Sequence, residues 1–142
     1  ENSIVLDLFS GVGSFGIECI SRGVKKAYFV ENYNGVLPIL KKNLSSLKTI
    51  NNYEIIEKNI YRSDLFKNFK TKFDIIFMDP PYKDKNLIEI LSKIKIAKLL
   101  KNNGIIIIHR HKNRKDEFST EYKIIDEKKY GISKIIFLTY LI

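Results

Sequence analysis

Four consecutive residues, Asp79, Pro80, Pro81 and Tyr82, end the apolar run FDIIFM. Two successive prolines fix their own φ angles, restrict the residue ahead of each, and remove two backbone donors. The corner they make presents acceptors only: the Asp79 carboxylate and the carbonyls around Pro80. Tyr82 follows as a flat aromatic wall. A planar base bearing an exocyclic amino group suits such a corner. Asp79 and the Pro80 carbonyl can each accept one N–H, which turns the nitrogen lone pair out of the ring plane. Tyr82 can stack on the base, a contact worth about 1–3 kcal/mol. Methyl transfer to that nitrogen is the chemistry this favours. A turn that merely stops a strand explains the prolines, but not acid, prolines and tyrosine together.

A second constellation lies near the start. DLFSGVGSFG holds Gly11, Gly13 and Gly16 in a G-x-G-x-x-G spacing. Gly11 is expected to allow a tight turn, Gly13 to let a ligand touch the backbone, and Gly16 to bring helix close to strand. Glu31 stands twenty residues beyond Gly11 at the end of the next strand. A carboxylate there can accept from both ribose hydroxyls of a nucleoside. This pattern fits a nicotinamide cofactor as well as S-adenosylmethionine. Asp7, ahead of the loop, separates the two. It would repel a pyrophosphate and attract the ammonium of a methionine-type cofactor. A buried acid satisfied by loop amides is the plainer reading of Asp7, and both can hold at once. Asn59 ends the third strand, where its oxygen could accept from an adenine amine, or where it is an ordinary strand-end residue.

These residues need a frame. IVLDLF, KAYFVE, YEIIEK, FDIIFM and GIIIIH read as strands, the buried ones as near-continuous apolar runs. Helix-like segments lie between them. One starts after Gly13. One is capped by Asn34, with Pro38 in its first turn and Leu37, Leu40, Leu44 and Leu47 on one face. A short one is capped by Ser63 or Asp64, and a long one covers residues 84–100. EYKIIDEKKYGISKIIFLTYLI reads as two antiparallel strands around a turn at Tyr130-Gly131. Alternating strands and helices followed by a hairpin predict an α/β, doubly wound sheet with an antiparallel strand at its far end. Ligands in such sheets bind beyond the carboxyl ends of the strands. The rim residues there are Phe9 to Gly13, Glu31, Asn59, Asp79 to Tyr82, and His109 to His111.

Composition bounds the rest. The chain has 142 residues, which favours one domain, 1–142, and 44% of them are hydrophobic. No apolar run is long enough to cross a bilayer. Cys19 stands alone, so no internal disulfide is expected and a reducing, cytoplasmic setting fits. The chain opens on Glu1 and enters a strand almost at once, so an N-terminal piece is expected to be missing. The net charge is +9. That field attracts polyanions, nucleic acid above all, although Lys, Asn and Ile are also abundant in proteins from AT-rich genomes. Arg110, His111, Lys112, Arg114 and Lys115 form a basic patch on the rim, fit for phosphates or simply a solvated loop. His109 and His111 lack the cysteine or acid that a metal site would need, and no metal is expected.

VLDLFSGVGSFGIECISRG, AYFVEN, FDIIFMDPPY and EKKYGISKIIFLTY resemble, in order from Val5 to Tyr140, the bacterial 16S rRNA guanine-N2 methyltransferases known as methyltransferase D. The resemblance implies a Rossmann-like class I methyltransferase fold with seven mostly parallel strands and a C-terminal antiparallel hairpin. It implies S-adenosyl-L-methionine as cofactor and a guanine amine in rRNA of the assembling small subunit as target. The enzyme would act as a monomer, away from membranes. By position, Asp7, Phe9, Gly11, Gly13, Glu31, Asn32, Asn59, Ile60 and Asp79 would line the cofactor. Asp79, Pro80, Pro81 and Tyr82 would hold the base. The family usually has Asp where Asn59 stands, tends to have Glu where this chain reads HRHKNRK, and carries a basic N-terminal segment. A DNA amino-methyltransferase, a nicotinamide oxidoreductase and a binding module without catalysis are the rival readings.

Overall fold

The computed structural model describes residues 2–47, 52–61, 64–81 and 86–141. The strands are β1 (Ile4–Leu8), β2 (Lys26–Val30), β3 (Tyr53–Ile56), β4 (Phe73–Met78), β5 (Leu100–His111), β6 (Tyr122–Tyr130) and β7 (Ser133–Tyr140). The helices are α1 (Ser14–Ser21), α2 (Leu37–Ser45), α3 (Leu65–Asn68) and α4 (Leu87–Ile96). The seven strands form one sheet in the order β3-β2-β1-β4-β5-β7-β6. β1 to β5 run parallel, and β7 is antiparallel to both β5 and β6. The antiparallel strand is therefore second from the end rather than at the edge. Its hairpin turns through Gly131 and Ile132, with Gly131 at φ 56 and Tyr130 already paired to Ser133. A glycine with positive φ leads such two-residue turns because their twist matches the strands.

Alternation along the strands builds two cores. Leu6, Leu8, Ile76, Met78, Ile106 and Ile108 face α3 and α4, where Leu87, Ile90, Leu91 and Ile94 bury one helical stripe. Val5, Ala27 and Phe29 face the other way, against Ile20 of α1 and Leu37, Leu40 and Leu44 of α2. Cys19 is half-buried beside this second core, and burial pushes its thiol up to about 11, as suits a packing residue rather than a reactive thiolate.

Helix ends depart from the sequence reading. α2 begins after Val36 with no side-chain cap, and the Tyr33 carbonyl takes the Leu37 amide, so Asn34 is not its cap. Asp64 occupies the cap position of α3 without a capping bond, and Ser63 lies outside the described residues. α4 stops at Ile96 because Lys98 turns left-handed, at φ 53, and starts the chain back toward β5. At the far edge β6 is exposed along nearly its whole length, and its register shifts between Ile124 and Asp126.

Candidate active site

The strand order reverses between β1 and β4, so their carboxyl ends open a crevice there. Register sets what lines it. Asp7 sits beside Phe77, and Phe77 beside Ile107, on the face that carries α1. Phe77 stacks flat on Phe15 of α1, with ring centroids 4.0 Å apart, and closes the crevice floor. Phe9 then adopts φ 58, rare for a bulky residue, and turns the chain out of β1 into the glycine loop. Its ring meets Tyr61 with centroids 6.0 Å apart.

Asp7 is 1% exposed. Its Oδ2 accepts the Gly16 amide at 3.3 Å, while Oδ1 has no partner among the described residues. Burial pushes the carboxyl up to about 8; the Gly16 amide opposes this, and the charges of Asp79 and Glu31 add to it. One oxygen is thus tied to the loop, and the other is a buried acceptor in want of a donor or a cation.

Glu31 closes the loop from the next strand. Its Oε1 accepts the Gly11 amide at 2.7 Å, and its Oε2 accepts the amides of Asn32 and Tyr33, each at 3.1 Å. The glycines divide their work differently from the sequence expectation. A Cβ on Gly13 would lie 2.6 Å from Leu40, and Gly13 has φ 88, so packing and backbone already call for glycine there. Gly11, at φ 55, has nothing within 4 Å and is the open position. Gly16 meets the expectation: its Cβ would enter the Phe29 ring.

Asp79 ends β4 on the same rim. It is exposed, Pro80 behind it is buried, and Pro81 is exposed. Tyr82 lies outside the described residues. One cleft of about 470 Å³ is lined by Gly11, Glu31, Tyr33, Asp79, Pro80 and His109, among others. A second, of about 380 Å³, holds Asp7, Gly11, Phe15, Phe77, Asp79 and His109. The acid of the proline corner and the glycine loop therefore line the same clefts. His109 also reaches Asp79, with Nδ1 2.9 Å from Oδ1. A roomier groove of about 600 Å³ between β3 and α3 includes neither the loop nor residues 79–81.

The family described as conserved hypothetical protein 95 matches residues 1–139. Ribosomal RNA small subunit methyltransferase D of Haemophilus influenzae is 32% identical over 135 residues, which cover 93% of this chain and 69% of the relative. Its namesake in Buchnera aphidicola subsp. Acyrthosiphon pisum is 36% identical over 114 residues, covering 80% and 59%. This chain belongs to the methyltransferase D family. A conserved hypothetical protein of Streptococcus pyogenes superposes with a TM-score of 0.88 at 28% identity, over 98% of this chain and 86% of its own. A Haemophilus influenzae protein described as a methylase gives 0.82 at 33% identity, over 99% and 88%.

Within this methyltransferase D chain, four expected cofactor residues, Gly13 and three others, are not among those lining the two clefts. The Ile60 side chain is buried in the core on the α3 and α4 side. The Asn59 Oδ1 accepts the Tyr61 amide at 2.8 Å and so shapes its own turn. Asn32 is exposed beside Glu31. The basic patch also splits. Arg110 is 3% exposed, and its guanidinium grips both oxygens of Asp116 at 2.9 and 2.8 Å, so it is a core ion pair and not a phosphate ligand. Nδ1 of His111 accepts the Asn113 amide at 3.1 Å. Lys112 and Lys115 stay on the surface, and half-buried Arg114 lies 3.7 Å from Asp116. The contact sequence reasoning missed is His109 to Asp79. The signal was there, since both follow apolar residues of the same parity, but pairing register is not written in either strand alone.

Proposed function

We propose that this chain methylates the exocyclic N2 amine of a guanine in small-subunit rRNA, using S-adenosyl-L-methionine. One observation carries the reading: the acceptor-only corner at Asp79 and Pro80 shares its clefts with Gly11, Glu31 and the orphaned Asp7 oxygen. That oxygen, buried and without a donor among the described residues, fits the cationic end of a methionine-type cofactor, which would draw off the proton that burial leaves on Asp7. Glu31 and the open backbone at Gly11 suit its ribose. When bound, the cofactor supplies a methyl group on a sulfonium, already a good leaving group. The protein's task would then be alignment, with Asp79 and the Pro80 carbonyl holding the amine toward the methyl group. Asp79 takes the proton that the alkylated nitrogen sheds. Lys112, Arg114 and Lys115 supply phosphate contacts beside the corner. We read the chain as a single domain acting as a monomer in the cytoplasm, where ribosomal subunits assemble.

A tritium-methyl transfer assay on naked 16S rRNA, 30S particles and duplex DNA tests the reading. Label in RNA that digests to N2-methylguanosine supports it. Label in DNA alone, or tight binding of NADH instead of S-adenosylhomocysteine in calorimetry, refutes it.

A further inference from the structure

We propose that His109 is a positioning residue for methyl transfer, setting the plane of the Asp79 carboxylate. The proposal rests on the function proposed above and names a residue which that function does not require. β4 and β5 are in register at Met78 and Ile108, which brings Asp79, just past the end of β4, beside His109 of β5. His109 Nδ1 stands 2.9 Å from Asp79 Oδ1. Two acceptors repel, so beside an ionised carboxylate Nδ1 carries the proton and donates it.

The contact matters because no other group among the described residues holds that carboxylate. The Asp79 side chain is 51% exposed, so packing does not lock it. Among the described residues, His109 is its one hydrogen-bonding partner. The terminal torsion of an aspartate is broad and soft. An untethered carboxylate would sample orientations that misplace the amine. With Oδ1 held by the imidazole, Oδ2 is left to accept the substrate N–H from one direction. The histidine is itself steadied, since its strand neighbour Ile135 pairs it to β7 and only 29% of its side chain is exposed. Both residues line both clefts, so the tether lies at the proposed reaction centre.

The test compares His109→Leu with His109→Asn, whose amide nitrogen occupies the place of Nδ1. His109→Leu should lower kcat by about tenfold or more, the scale on which small misplacements act. The KM for cofactor and calorimetric affinity for S-adenosylhomocysteine should stay within about twofold, because Glu31 and Asp7 keep their bonds to the glycine loop. His109→Asn should recover most of the lost kcat. Full kcat in His109→Leu, or equal damage in both variants, overturns the proposal. A fold-independent check uses the intact chain. Long-range ¹H–¹⁵N spectra of the His109 ring should show a protonated Nδ1 that changes state in Asp79→Ala; an unprotonated Nδ1 in the native chain overturns the contact. A native chain that methylates no RNA overturns the function reading itself, a result distinct from an active chain indifferent to His109→Leu.

Discussion

Gly11 donates its amide to Glu31 across the gap between β1 and β2, at 2.7 Å. The same carboxylate accepts two further amides, from Asn32 and Tyr33. Glu31 therefore holds the glycine loop in shape before any ligand arrives. A carboxylate offers roughly four lone-pair sites, so ribose hydroxyls would share oxygens that are already well used.

Removing that clamp should separate loop order from fold. Glu31→Ala is expected to weaken S-adenosylhomocysteine binding by about tenfold or more, as loss of charge-assisted hydrogen bonds implies. Thermal stability should fall only modestly, because the loop is at the rim. Glu31→Gln should lie between the two. Calorimetry and melting curves on the same preparations check this.

Asp7 should give the protein a pH signature. Burial raises its carboxyl to about 8 in the fold, far above its ordinary 3.8. Between those values the folded chain holds a proton that the unfolded chain has lost. Stability from this group is therefore fully present at acid pH and declines as pH rises toward 8, by at most about 1.4 kcal/mol per unit. Denaturant melts at pH 5 and pH 8 should show native stability falling more steeply than that of Asp7→Asn. A cationic cofactor beside Asp7 would expel the proton. Binding at pH 7 should then release protons, seen as a heat that varies with the ionisation enthalpy of the buffer.

The two outer glycines of the loop should fail in different ways. Gly16→Ala drives a Cβ to 2.3 Å from the Phe29 ring and should cost about 1–3 kcal/mol by overpacking. Phe29→Leu in the same chain should recover part of it. Gly11→Ala meets no atom within 4 Å, so its cost is backbone strain at φ 55, of about 1–2 kcal/mol. Denaturation midpoints of the three variants distinguish packing from strain.

The basic patch should divide on mutation as it divides in space. Arg110→Ala leaves the buried Asp116 carboxylate, 8% exposed, with the longer 3.7 Å approach of Arg114 and should destabilise by about 3 kcal/mol. Lys112→Ala and Lys115→Ala should leave melting unchanged. Each should flatten the plot of log affinity for RNA against log salt by about one ion's worth.

Asp79→Ala should abolish methyl transfer while S-adenosylhomocysteine affinity stays within about threefold, because in the proposed function the main task of the corner is to hold the base. Single-turnover transfer and calorimetry measure the two separately. Transfer at the native rate would remove Asp79 from the mechanism.

Much of this was legible in residue order because it is local. Apolar runs gave the five parallel strands, and the glycine spacing gave a loop that does open α1. What escaped depends on relations between strands. Arg110 looked like a surface cation because the surrounding residues are basic. Yet it shares parity with Ile106 and Ile108, and a period of two puts it on their buried face. Asp79 and His109 are thirty residues apart, and only the β4 and β5 register joins them. Glycine spacing also says nothing of Leu40, which arrives from α2 beside Gly13. The end of α4 was overrun because Leu99 and Leu100 continue its apolar pattern while already belonging to the next turn and strand.

The shifted register of β6 has a use of its own. An open strand invites a neighbouring chain to add itself by backbone pairing. Here the outermost nine residues include Lys123, Asp126, Glu127, Lys128 and Lys129, and the irregularity between Ile124 and Asp126 breaks the straight run of donors and acceptors. A visiting strand would find mixed charges and a mismatched spacing. The flank remote from the clefts thus guards against fibre-like self-association, even though Ile124 and Ile125 are each half-exposed upon it.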